Sequence, residues 1–162
     1  RVENAVHTVN PKAIIYGEGW DMGKTIDGSA RATQKEISKI QPGDGAIGGI
    51  AVFNDVIRDG LKGSVFTATS KGYISGNGSG SFPNVLFGIK GGMAAGMSWE
   101  VKDAMVVNYM SAHDNNTLWD KLLLSNPEAS DDQRNKMNNI LTLKEISEQK
   151  VIADNLDKII NN

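Results

Sequence analysis

Residues 11–25 read PKAIIYGEGWDMGKT, an apolar run that breaks into a glycine-rich loop carrying Glu18, Trp20 and a closing Gly23-Lys24-Thr25. Pro11 cannot continue a helix and restricts Asn10 before it, so the preceding RVENAVHTV ends there as a helix with Val2, Ala5, Val6 and Val9 at helical spacing. The almost wholly apolar AIIYG then predicts a short strand buried on both faces, as parallel sheets require. The loop after it offers two chemistries. A phosphate cradle needs Gly, four residues, then Gly-Lys-Ser/Thr, so that backbone N–H groups wrap an anion. Counting back from Gly23-Lys24-Thr25 places Glu18 where the first glycine must stand, and a carboxylate there opposes a phosphate. The dinucleotide fingerprint fails as well, because Gly17, Gly19 and Gly23 are spaced one residue too far. The carboxylate remains as the chemical centre of the loop.

Working outward, Asp21 to Gly49 is polar and rich in turn signals, and predicts loop with a short helix over Ala32–Lys39. IAVFND is a second apolar run, and VIRDGLKGSVF after it allows a short helix through Val56, Ile57, Leu61 and Val65. ISGNGSGSFPN reads as loop on composition, and VLFGIKGGMAAGM as a buried helix with small residues for close packing. AMVVNYMSAHDNNT supplies a third strand ending in polar side chains. LWDKLLL follows, then a helix carrying Met137, Ile140, Leu141 and Leu143, whose start suits Asp131 and Asp132 after Ser130, and an amphipathic continuation through Ile146, Ile152, Leu156 and Ile159. Three strands thus alternate with helices, and each ends in polar residues. In parallel α/β folds the site lies at the carboxyl ends of the strands, so Glu18 and Trp20, Asn54 and Asp55, and His113, Asp114 and Asn115 are expected on one rim.

Composition narrows the partners. The 162 residues, 40% apolar and 22% charged, fit one ordinary domain, and a net charge of −2 supplies no basic excess for nucleic acid. The longest apolar runs fall far short of the about 20 residues that span a bilayer, so no membrane span is expected. No cysteine is present, which removes disulfides and thiolate metal sites and leaves the compartment open between cytoplasm and secretion. Only His7 and His113 could offer imidazole, so no metal centre and no cofactor are expected.

A carboxyl group beside an indole is a familiar combination for sugars, since the acid can protonate a glycosidic oxygen while the ring stacks on a pyranose. Taken singly, Glu18 also fits a loop carboxylate or a salt-bridge partner, His113-Asp114 a hydrogen-bonded pair, and Trp20, Trp99 and Trp119 packing residues. In combination, IIYGEGW, FNDVIRDGLKGSVF and VNYMSAHDNNTLWDKL, in that order, resemble the type I pullulanases of the alpha-amylase superfamily of glycoside hydrolases, over roughly residues 1–141. The resemblance implies part of a (β/α)8 TIM barrel, about three βα units corresponding to strands five to seven, and retaining hydrolysis of α-1,6 branch links in pullulan, starch or glycogen-type glucans. It gives Glu18 the role of proton donor and Asp114 that of the carboxylate stabilising the transition state. His113, Asn115, Trp20, Asp55 and Arg58 become substrate contacts. The resemblance leaves calcium open for the full-length family, without an identifiable site in this sequence.

The sequence also departs from that pattern. The family's nucleophilic Asp belongs to a Gly-Phe-Arg-Phe-Asp-like segment on strand four, and no such segment occurs here. Residues 1–143 therefore read as the C-terminal half of the catalytic barrel, incomplete. Residues 144–162, charged and rich in Lys, Ile and Asn, read as an atypical amphipathic helical tail of the kind a frameshift or an aberrant gene end produces. The chain is expected to be an excerpt, opening at Arg1 in the last turns of a helix, inactive alone and prone to aggregate. A non-catalytic glucan-binding remnant is the alternative of a different class, and amylase or isoamylase specificity the alternative within the superfamily.

Overall fold

In the computed structural model, which describes residues 1–22, 31–37, 39, 49–92 and 105–146, helix α1 (Val2–Val9) stops as the proline demands. Asn10 turns to extended backbone at φ −138° while its N–H still bonds the Val6 carbonyl. Strand β1 (Ile15–Gly17) follows. A short α2 (Gln34–Ile37) is capped by Thr33, whose hydroxyl accepts from the Glu36 N–H at 3.2 Å. Strand β2 (Ile50–Asn54) passes without a loop into α3 (Asp55–Lys62), and α4 (Gly78–Ile89), β3 (Val106–Asn108), α5 (Leu118–Ser125) and α6 (Asp131–Ile146) complete the order.

The strands form a sheet in the order β1-β2-β3. β1 and β2 pair in parallel, with Ile15, Tyr16 and Gly17 opposite Ile50, Ala51 and Val52. A three-stranded sheet with helices between its strands is a partial α/β fold. Among the described residues no helix is long and apolar enough to cross a membrane.

Two compact units divide the chain, Arg1–Asn54 with Gly91–Val107, and Asp55–Lys90 with Asn108–Asn162. The first is built around Ile37, Val52, Met105 and Val106, with Ala32 and Ile50 packed against them. The second has the larger core, Ile57, Leu61, Val85, Met110, Leu118, Leu122 and Leu141, joined by Tyr73, Ile74, Ile89 and Met137. In it α3 and α4 approach closely through glycines. A methyl group on Gly88 would lie 2.7 Å from the Ile57 Cβ and 2.9 Å from its backbone N, and one on Gly60 3.1 Å from the Val85 N. The start of α6 is a capping box, the Ser130 N–H bonding Gln133 Oε1 at 2.8 Å and the Ser130 hydroxyl accepting from the Gln133 N–H at 3.3 Å.

Three expectations are corrected. The loop read over residues 74–84 gives way to helix from Gly78, with Pro83 inside it, because Ser81, Val85 and Gly88 are buried along the helix face. The helix read over residues 85–97 is helical only to Ile89; residues 93–97 lie outside the described residues. β1 is not buried on both faces: Tyr16 is 60% exposed and Ile14, just before the strand, 77%, because cover over a strand face comes from other elements and not from its own apolar sequence. Within the expected 144–162 tail, α6 extends to Ile146 and the remainder lies outside the described residues.

Candidate functional site

In the first unit the turn after β1 is held by its neighbours. Gly19 takes a left-handed φ of +74°, and a Cβ there would stand 2.8 Å from the Val52 Cβ, so only glycine lets the turn close over β2. Its carbonyl accepts from the Gln34 N–H at 3.0 Å, and the buried Gln34 side chain donates to the Phe53 carbonyl at 2.8 Å. The Gly17-Glu18-Gly19 turn is thereby tied to both α2 and β2. Glu18 is half-buried at the carboxyl end of β1, and Trp20, two residues on, keeps 37% of its surface exposed. Asp21 beyond it pairs with Arg31, one Nη contacting both carboxylate oxygens at 2.9 Å.

In the second unit Asp55 is half-buried at the first turn of α3. Arg58, one turn on, is only 6% exposed. Its Nε donates to Asp59 at 2.6 Å, its Nη1 to the Tyr109 hydroxyl at 2.5 Å, and its guanidinium carbon stands 5.4 Å from the centre of the Tyr109 ring. Burial alone would lower the guanidinium pKa; the hydrogen bond and charge of Asp59, with Tyr109 and Asp55, outweigh it and hold the pKa above its ordinary value. Lys62, a further turn along α3, is buried and donates to the Met110 carbonyl.

Beyond β3 the chain runs through buried Tyr109 and Met110 and then emerges, every residue from Ala112 to Thr117 being exposed. His113 Nε2 and Asp114 Oδ1 lie 3.3 Å apart, their side chains 79% and 63% exposed. Asn115 sits at φ 67°, a left-handed conformation that asparagine tolerates better than most residues. Thr117 ends the emergent segment by capping α5, its hydroxyl accepting from the Asp120 N–H at 3.1 Å and donating to Asp120 Oδ2 at 2.8 Å.

Glu18 and Trp20 thus share one turn, His113, Asp114 and Asn115 share one exposed segment, and Arg58 is engaged with Asp59 and Tyr109. Tyr109, Asp59 and Lys62 were missed by the sequence reading. Their signal was weak: cations at positions 58 and 62, four apart in a helix whose other buried side chains are Ile57 and Leu61.

No family model matches the chain. A pullulanase of Bacillus subtilis strain 168 is 31% identical over 126 residues, 76% of this chain and 16% of the relative. Among solved structures, the pullulanase of Paenibacillus barengoltzii in complex with maltohexaose and alpha-cyclodextrin is 36% identical, covering 84% of this chain and 20% of that one, with a TM-score of 0.68. The type I pullulanase of Bacillus subtilis str. 168 with maltose is 28% identical, covering 83% and 18%, also at 0.68. In fold and in neighbours alike, the chain is similar to a segment of much larger proteins, itself a partial α/β fold. The neighbours consistently are pullulanases, and this chain matches a partial region, about a sixth to a fifth, of those much larger proteins.

Proposed function

We propose that the chain is the acid-bearing part of a retaining glycoside hydrolase of (β/α)8 architecture that cleaves α-1,6 links in branched α-glucans. The observation that carries this reading is Glu18, displayed on a glycine-braced turn at the carboxyl end of a parallel strand, in a chain whose neighbours are pullulanases. Glucan as the substrate is supported by neighbours crystallised with maltose and maltohexaose.

In this mechanism the Glu18 carboxylic acid gives its proton to the glycosidic oxygen as the bond to the anomeric carbon breaks. A carboxylate nucleophile attacks that carbon from the opposite face, and the resulting glycosyl ester is then hydrolysed by water whose proton returns to Glu18. Asp114 stabilises the positive charge that develops on the sugar, His113 and Asn115 hydrogen-bond the same ring, and Trp20 stacks on a neighbouring glucose. Asp55 contacts further glucose units, while Arg58, buried and held by Asp59 and Tyr109, supports that surface from behind. The nucleophile comes from a segment other than these 162 residues, so the isolated chain is inactive.

The test is complementation. The chain, mixed with a separately produced piece carrying a pullulanase's first four βα units, is expected to release reducing ends from pullulan. Glu18→Gln should reduce that rate by about a hundredfold or more, the scale of general acid catalysis. Glucan binding without hydrolysis in any combination would favour the non-catalytic alternative.

A further inference from the structure

Two cations on one face of α3 grip consecutive residues of another segment: Arg58 holds the Tyr109 side chain, and Lys62, four residues later, donates to the Met110 carbonyl. Met110 is where the chain leaves the core, being 2% exposed, and of the next six residues all but Ser111 are exposed. The exposed segment is tied to packed residues at both of its ends. One anchor is the Thr117 cap with the buried Leu118; the other is Tyr109-Met110. We infer that Lys62 is a positioning residue for the His113-Asp114 segment, acting through the Met110 carbonyl.

The cost of burial makes this role specific. Lys62 is 3% exposed, and an ammonium taken out of water must be compensated by its partners. A lysine in the last turn of a helix ordinarily reaches solvent. Here the ammonium is spent on a main-chain carbonyl three residues before His113. Its own backbone is fixed from the other side, since the wholly buried Ser75 hydroxyl donates to the Lys62 carbonyl at 3.4 Å and accepts from the Gly72 N–H at 2.7 Å. Ser75, Lys62 and Met110 thus form a relay from a packed turn to the base of the exposed segment, and Arg58 with Tyr109 makes a parallel tie one helical turn away.

The inference rests on the proposed function only for the meaning of the segment it positions, so its test is run without sugar. In the 162-residue chain, Lys62→Met keeps the apolar stem and removes the donor. Amide hydrogen exchange over residues 111–116 is expected to quicken about tenfold and the His113 imidazole resonances to shift, while amides of α4 and α5 keep their rates. Lys62→Arg, which keeps a charged donor, should restore both. Unchanged exchange at 111–116, or uniform acceleration throughout the second unit, overturns the inference. If Lys62→Met does not fold, Lys62→Gln, with a shorter neutral donor, is read by the same criteria. In the complemented enzyme, Lys62→Met should lower kcat by about tenfold with KM nearly unchanged. Absence of hydrolysis in every combination would sink the glucan reading and leave the exchange result standing.

Discussion

Two buried side chains give the second unit opposing responses to alkali. Tyr109 has its hydroxyl pKa raised above the ordinary 10.0, first by burial, with the Arg58 charge and hydrogen bond pulling the other way. A group whose folded pKa is raised contributes stability that is complete below its unfolded value and is lost as pH climbs toward the folded one, so stability should fall above pH 10.0. Tyr109→Phe keeps the ring face beneath Arg58, deletes the hydrogen bond at a cost of about 0.5–1.5 kcal/mol, and should flatten that fall in urea denaturation at a series of pH values. Lys121 behaves inversely. The residue is 2% exposed, and its ammonium is ringed by the carbonyls of Ser64 at 2.9 Å, Thr67 at 2.8 Å and Ala68 at 3.0 Å and the Ser70 hydroxyl at 3.2 Å. Burial lowers its pKa below 10.5 against the opposing charge of Asp59, so stability should rise as pH climbs through the lowered value toward 10.5. Lys121→Met should abolish the rise and, by stripping three carbonyls of a donor, cost about 1–3 kcal/mol near neutrality. A Lys121→Met chain as stable as the parent at pH 7 would show that the 64–70 loop holds itself.

The pairing of α3 with α4 depends on the absence of side chains. Gly88→Ala sets a methyl against the Ile57 backbone, which cannot yield as a flexible side chain would, and should cost about 1–3 kcal/mol as overpacking does. Its urea midpoint should drop with an unchanged slope; an unchanged midpoint would mean that the two helices part at little cost. The same elements mark the limit of what sequence discloses. Residues 74–84 carry glycine, serine, asparagine and Pro83, a loop composition, and an interior proline costs a helix about 3 kcal/mol. They are helical from Gly78 because the face bearing Ser81, Val85 and Gly88 is buried, which no local propensity records. α1 and α6 were legible from residues at their ends, Pro11 after α1 and Ser130 with Asp131 and Asp132 at the start of α6, and β1, β2 and α3 from their apolar runs and spacing. α5 was not read as a helix, its Thr117 cap being visible only in the structure. The exposure of Ile14 and Tyr16 was not legible, since cover over a strand is supplied by other elements.

For the molecule as a whole, the residues of the candidate site were legible where they are contiguous. Glu18 with Trp20, and His113 with Asp114 and Asn115, are each read as one motif. The ties that hold them were not, because Arg58 to Tyr109 and Lys62 to Met110 join positions 51 and 48 residues apart. Scale also governs behaviour in solution. Val9 is 87%, Phe66 86%, Met22 83% and Ile14 77% exposed, a set of large apolar side chains on a chain with a net charge of only −2. Exposed apolar surface favours association, and so small a charge opposes it weakly. The purified chain should therefore scatter more light as its concentration rises and bind an apolar fluorescent dye. Phe66→Asp and Ile14→Lys should each reduce both signals, and should do so without shifting the urea midpoint, because neither side chain belongs to a core. A chain that sediments as a monomer at every concentration, with dye binding unaltered by either substitution, would show that these side chains do not drive association and that the net charge, small as it is, suffices to keep the molecules apart.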